Sequence, residues 1–279
     1  MNSRVNRVRE RLSQNPLLRP PVLWVRHSKP AVALRWKRNM APNDTLLASY
    51  PRSGSTWLRF LLFECVTGQP ANFSSVDTYG SWKGPGVLPG GGRLISTHER
   101  YCDIDRKVVY LARDPRSIIM SEYRLRQRQG TADGDFDAFV PLFVKGKAGP
   151  FGSWNNHVDF WMSSPPSYRG HLHLVRYEDL RASPEECLAE IVVFLGMPVD
   201  DALITRAVDN NTLDRMRSKE DQAPPQKFKR ARSREVRFVN QGLTQGWKTD
   251  LTPHQVGLIE QHTGPTLTRL GYELWREVP

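Results

Sequence analysis

Residues 50–62 read YPRSGSTWLRFLL: an apolar run ends at Tyr50, a short polar turn carries Gly54, and a helical apolar stripe follows at once. From Thr56 onward, Leu58, Leu61, Leu62 and Cys65 keep the i, i+3, i+4, i+7 spacing of one buried helix face, and Gly68 offers a stop. A strand, a glycine turn and a helix in that order aim several backbone N–H groups and the positive helix end at a single point. Arg52, Ser53, Ser55 and Thr56 add donors there. The stretch reads as a cradle for an anion. It is not a Walker A loop, because GxxxxGK[ST] is absent, and with it the lysine and hydroxyl that manage a nucleoside triphosphate and magnesium. A phosphate-type ligand handled without a metal fits it better.

Working outward, short apolar runs alternate with helical patterns along the rest of the chain. Strands are expected at 45–50, 93–97, 107–112 and 171–175, each short, apolar and followed by polar residues. Asp114 and Pro115 mark the cap and first turn of a helix that carries Ile118 and Ile119. Ser183, Pro184 and Glu186 form a capping-box pattern before LAEIVVFLG. Trp154, His157, Val158 and Trp161 make a one-sided stripe whose simplest reading is core packing. The fold class expected from this alternation is α/β: a parallel sheet flanked by helices in a single domain over residues 43–279, preceded by a basic extension over 1–42. Residues 80–92 and 219–237 fit neither period and read as surface loops.

The chain has 279 residues, enough for a sizeable core, and 40 Lys and Arg against 29 Asp and Glu leave a net charge of +11. Ten of those basic side chains and one acid, Glu10, fall in residues 1–40, so most of the excess lies in the first forty residues. Such an arm attracts phosphates of nucleic acid or of lipid headgroups, and a solvated tail reads equally well. Cys65, Cys102 and Cys187 are widely spaced with no CxxC, which argues against a zinc site and a disulfide scaffold. The longest early apolar run, 22–25, is far short of a signal-peptide core or a membrane span. A cytoplasmic protein is expected, with peripheral contact at the membrane a further expectation for the arm.

In an open parallel sheet, ligands collect at the carboxyl ends of the strands. Four such ends can be read: PRSGST, HERY, RDPRS and RYEDL. The third places Arg113 at a strand terminus and Ser121 eight residues on, about two turns into the next helix; a guanidinium fork and a hydroxyl there suit a second phosphate. Two anion sites imply a ligand with two phosphate groups.

At this point a family resemblance becomes specific. The chain resembles the sulfotransferases that use 3′-phosphoadenosine 5′-phosphosulfate (PAPS), in their cytosolic-type branch. YPRSGSTW resembles that family's 5′-phosphosulfate loop, VVYLARDPRSIIMSEY its 3′-phosphate strand and helix, STHE its catalytic-histidine segment, LVRYEDL its adenine-side strand end and FVNQGLTQGWK its carboxy-terminal glycine motif. These match in order and spacing from about residue 45 to 250, with a P-loop-like fold implied.

The resemblance implies PAPS as donor, PAP as product and no metal. It makes His98 the general base and Arg52 the cation at the bridging oxygen, where the family more often has lysine. Ser53, Gly54, Ser55 and Thr56 would wrap the 5′ group, with Trp57 against adenine. Arg113 and Ser121 would bind the 3′-phosphate, and Tyr177, Thr212 and Leu213 would lie near adenine. Leu213 stands where the family usually has an aromatic, so the ring-on-ring contribution is missing. In FVNQG, Asn240 stands where the family commonly has arginine and Gln241 where lysine is frequent, with Gly242 retained; Arg237, or a neighbour such as Arg234 on the same basic loop, is the expected substitute for the lost charge. Glu99 and Glu178 are open between orienting roles and structural salt bridges.

The acceptor is expected to be a small-molecule, glycan or lipid-linked hydroxyl, with residues 80–92 and 124–152 shaping its pocket. Nucleic acid is not expected as a partner, since Trp24 and Trp36 are the arm's only aromatics. The segment 22–38, VLWVRHSKPAVALRWKR, carries the expectation of membrane-surface contact. Oligomeric state leaves no signal.

Overall fold

The computed structural model describes residues 25–100, 105–131, 134–223, 239 and 242–275. Four strands, β1 (Thr45–Ser49), β2 (Leu94–Thr97), β3 (Lys107–Ala112) and β4 (Leu172–Arg176), form one sheet in the order β2-β1-β3-β4. Every pairing is parallel: Leu46 faces Ile95 on one side and Val108 on the other, and Tyr110 faces Leu174. All five residues of β1 are buried, as expected of a central strand covered on both faces. The four expected strands are therefore present, with ends differing by one residue at most.

Alternation along the strands divides the core in two. Leu46, Ala48, Val108 and Tyr110 point to one face, and Leu47, Val109 and Leu111 to the other. The first face is covered by α1 (Lys29–Asn39), and by the helices introduced below from residues 115–129, 136–144, 154–162 and 253–269. Leu58, Leu61 and Leu62 of α2 (Ser55–Thr67) cover the second, and α3 (Phe73–Tyr79) packs outside it through Phe73 against Phe60. After β3 come α4 (Pro115–Gln129), α5 (Phe136–Val144), α6 (Trp154–Met162) and the short α7 (Pro165–Tyr168). After β4 come α8 (Tyr177–Ala182), α9 (Pro184–Leu195), α10 (Asp201–Asn210) and α11 (Leu213–Gln222); α9 and α10 complete the second face. The single turn α12 (Trp247–Asp250) and the long α13 (Pro253–Arg269) end the described chain.

Helix α1 belongs to the basic N-terminal segment, yet Val32 and Trp36 are buried in the same cluster as β1, with Trp36 6.0 Å from Trp161. Its polar face, including Lys37 and Arg38, stays exposed. Among the described residues no helix is long and apolar enough to cross a membrane.

Asp114 caps α4 as expected, its carboxylate accepting from Arg116 N at 2.8 Å. Ser183 does not cap α9: its side chain makes no capping bond, because its backbone N–H closes α8 by donating to Asp179 O at 2.8 Å and its φ of −136° and ψ of 69° turn the hydroxyl away. Residues 219–222, expected in a loop, finish α11 instead. Ala223 follows that helix, and the remaining 224–237 lie outside the described residues.

Candidate active site

All four strands point the same way, so Ser49, Thr97, Ala112 and Arg176 bring their following loops to one edge of the sheet, where a cleft of about 480 Å³ opens. Its floor is the loop after β1. Arg52 adopts a φ of +69°, a left-handed conformation that costs a non-glycine residue on the order of 1–3 kcal/mol. That twist lets Arg52 Nε donate to Ser121 Oγ at 3.0 Å while its carbonyl accepts from Arg113 Nη1 at 3.1 Å. The β1 and β3 loops are thereby joined at their tips. Gly54 precedes α2 with a φ of +95°, and a Cβ there would stand 2.6 Å from two Tyr177 ring carbons. Only glycine satisfies both the conformation and the approach.

Tyr177 organises the neighbouring wall. Arg113 Cζ lies 4.3 Å over its ring, its hydroxyl donates to Gly242 O at 3.3 Å, and Trp57 meets it edge-on at 6.1 Å. Trp57 Nε1 donates to the Asn211 carbonyl at 2.8 Å. Asn211 is itself fixed from behind: its amide donates to Glu64 Oε1 at 3.0 Å and its side-chain oxygen accepts from Lys219 at 2.7 Å.

His98 follows β2 and lines the cleft. Its Nδ1 lies 2.9 Å from Ser49 O and 3.2 Å from Ser49 Oγ. A carbonyl can only accept, so Nδ1 carries the hydrogen and Nε2 keeps the lone pair. Burial holds the His98 pKa below the ordinary imidazole value; the Ser49 hydrogen bond opposes this, and the charges of Arg59 and Arg52 add to the lowering. The sequence suggested a base near its unperturbed pKa, and the site makes it more firmly neutral. Behind it, the buried His157 donates from Nε2 to His98 O at 3.1 Å and accepts at Nδ1 from Tyr110 OH at 2.8 Å. Burial pulls His157 down to about 3, so it is a neutral core histidine.

Of the residues expected at the site, Arg52, Gly54, Ser55, Thr56 and Trp57 line the cleft from the β1 side. His98, Arg113, Ser121, Tyr177, Leu213 and Gly242 line it from the other strand ends and the carboxy-terminal segment. Ser53 is buried beneath the loop with its hydroxyl unpartnered, and Thr212 is exposed at the start of α11; neither lines the cleft. Arg237, Asn240 and Gln241 lie outside the described residues. Glu99 and Glu178 are both held by partners: Glu99 accepts from Arg35 at 2.5 Å and faces His27 Nδ1 at 2.8 Å, and Glu178 accepts from Tyr272 OH at 2.7 Å.

One end of the cleft is apolar, with Phe143, Ala148, Pro150 and Phe151 in its wall and the Glu122–Arg126 pair, 3.0 Å apart, at its side. Phe151 stands edge-on to His98 at 6.0 Å and to His27 at 4.8 Å, so the N-terminal segment buttresses the wall beside the imidazole. Residues 124–152 supply much of this lining and 80–92 supply none. Because β2 runs parallel to β1, the segment entering it must return to the amino ends of the strands, and there Asn43 Nδ2 donates to Gly90 O at 2.9 Å. Ser49, Asn211 and Arg181 were not singled out from the sequence. Each acts through a backbone carbonyl or a long-range contact, which leaves no local pattern. Among the described residues no group of three or more His, Cys, Asp or Glu side chains is arranged to hold a metal.

The sulfotransferase domain family model matches residues 92–271, well over half of the chain. The chain is a member of the sulfotransferase domain family. This sulfotransferase is 25% identical to rat sulfotransferase 1A1 over 81% of its own length and 85% of that relative's. It is 25% identical to human sulfotransferase 2B1 over 78% of its length and 64% of that relative's. Among solved structures, mouse sulfotransferase SULT7A1 complexed with PAP superposes with a TM-score of 0.65 at 20% identity, covering 86% of this chain and 92% of that one. A retinol dehydratase in a complex with retinol and PAP gives a TM-score of 0.67 at 18% identity, covering 86% and 85%. These neighbours share the P-loop-like α/β fold with this sulfotransferase.

Proposed function

We propose that this sulfotransferase transfers the sulfuryl group of PAPS to the hydroxyl of an apolar small-molecule acceptor by in-line displacement. The observation that carries the reading is a convergence: the bare Nε2 of His98 opens into the same cleft in which Arg52, Ser121 and Arg113 are hydrogen-bonded into one anion-facing cluster. PAP in the mouse neighbour and PAP with retinol in the dehydratase give the ligand chemistry its precedent.

In this reading His98 Nε2 takes the acceptor's proton as the oxygen attacks sulfur, and the hydrogen bond to Ser49 O keeps the ring aimed. Arg52 opposes the charge that grows on the bridging oxygen; as a guanidinium it stays protonated and gives no proton away. Ser55, Thr56 and the amino end of α2 hold the 5′ group, Arg113 and Ser121 the 3′-phosphate, and Trp57, Tyr177 and Leu213 border the adenine. Residues 43–279 carry the activity, with α1 packed onto them. The experiment is calorimetric titration of the full chain with PAP, followed by a screen of phenols and alcohols with ³⁵S-labelled PAPS. Micromolar PAP binding and label transfer are expected, and a chain that binds no PAP refutes the proposal.

A further inference from the structure

Among the described residues five arginines line the cleft, and four are engaged. Arg52 donates to Ser121, Arg124 pairs with Asp250 at 3.1 Å, Arg126 pairs with Glu122 at 3.0 Å, and Arg113 donates both outer nitrogens to the carbonyls of Arg52 and Leu243. Arg181 differs. Among the described residues its guanidinium has no ion pair and no hydrogen bond; it lies 5.1 Å over the Trp57 ring.

A lone exposed arginine is ordinarily a solvated one, and the position of Arg181 argues otherwise. Its Cζ is 3.9 Å, and its Nε 4.0 Å, from the point a Cβ on Gly242 would occupy. Arg113 holds the next residue, Leu243, by its carbonyl at 3.0 Å. Two guanidinium groups thus flank one two-residue stretch of backbone, with the Tyr177 hydroxyl donating into it between them. The carboxylates that could neutralise them are committed elsewhere. Asp179, two residues before Arg181, forms a fork with Arg176 at 2.6 and 2.7 Å, and Glu178 accepts from Tyr272 OH and from Asp114 N. Asp114 closes on Arg116 at 2.7 Å. Among the described residues neither guanidinium has a carboxylate partner, and two such cations flanking one short stretch of backbone suit a dianion, since a phosphomonoester carries nearly two charges at neutral pH.

We infer that Arg181 is a nucleotide-binding residue, gripping the 3′-phosphate opposite Arg113 and so setting the preference for nucleotides that bear that group. The inference rests on the PAPS reading above. A bidentate or even single charge-assisted contact from Arg181 adds to affinity only when the phosphate is present, whereas its contact with Trp57 would act on any adenine nucleotide.

The test is calorimetry on the full chain, unaltered and Arg181→Met, with PAP and with 5′-AMP, which lacks the 3′-phosphate. Methionine keeps an unbranched stem against Trp57 and removes the charge. The expected result is PAP weakened tenfold or more with 5′-AMP changed less than twofold, and Arg181→Lys recovering part of the loss. Equal weakening of both nucleotides would show that Arg181 serves the base through Trp57 and overturn the inference, as would no change in either. If the unaltered chain fails to bind PAP at all, the sulfotransferase reading falls first and takes this inference with it, an outcome distinct from the other two.

Discussion

The end of the cleft proposed for the nucleotide is built from strand tips and main chain, whereas the end proposed for the acceptor is built from side chains carried in by helices and by the N-terminal segment. At the first, Arg113 and Tyr177 directly follow β3 and β4, Arg52 and Gly54 lie three and five residues past the end of β1, and the sheet brings them together. At the second, Phe151 is placed by the turn before α6, and His27 reaches it from the far side of α1. The difference has a physical consequence. Strand-tip geometry is fixed by the register of the most buried part of the molecule, so it tolerates little change. The wall proposed for the acceptor rests on edge-on ring contacts and on the ion pairs of Glu99 and Glu122, none of them part of the sheet's pairing.

His98 stands where the two ends meet, and its removal is the largest expected effect. His98→Ala should lower kcat by about 10²- to 10⁴-fold, the usual contribution of a general base, with PAP affinity unchanged in calorimetry. The unaltered enzyme should also keep its kcat/KM as pH falls from neutrality past ~6.5, the value of a free imidazole. The base works in its neutral form, and burial has lowered its pKa, so the acid limb belongs below that pH. An acid limb above it would contradict this placement.

Next in size is Trp36→Ala, which should cost about 3–5 kcal/mol in denaturant unfolding, the range for truncating a fully buried tryptophan. A loss under about 1 kcal/mol would show α1 to be an appendage rather than a part of the core. Gly54→Ala sharpens the comparison from the nucleotide side. Its Cβ meets Tyr177 at 2.6 Å in a backbone conformation that alanine resists, so PAP should bind on the order of 100-fold more weakly and the thermal midpoint should fall by a few degrees. The smallest effect is expected at the other end. Phe151→Ala should raise KM for the best acceptor of the screen about tenfold, leaving PAP binding as it was. If Phe151→Ala weakened PAP as much as Gly54→Ala does, the two ends would not be separable.

How much of this was legible in the sequence follows the same division. The strands could be read because β1 and β3 are short unbroken apolar runs that alternate with helix patterns, and the anion cradle because its glycine, hydroxyls and arginine are contiguous. The left-handed Arg52 was not legible, since nothing in the residue type predicts a positive φ; the reason is the tertiary bond to Ser121. Ser49 could not be found either, because what it offers His98 is mainly a carbonyl that every residue has. The basic N-terminal segment looked like an arm because its charge hides a two-residue apolar face, Val32 and Trp36, that only the sheet reveals as a core contact. The capping box at Ser183 failed because α8, a helix too short to register in the periodicity, already used that residue as its end.

The central claim is that one nucleotide spans the tips of β1 and β3 with its 5′ end turned toward His98. The most direct test is a crystal structure of the full chain with PAP. The account predicts the 5′-phosphate against residues 52–56, the 3′-phosphate at Arg113, and His98 Nε2 facing the 5′ end with Nδ1 still on Ser49 O. PAP bound in the reverse sense, or an imidazole turned so that Nδ1 faces the cleft, would contradict it.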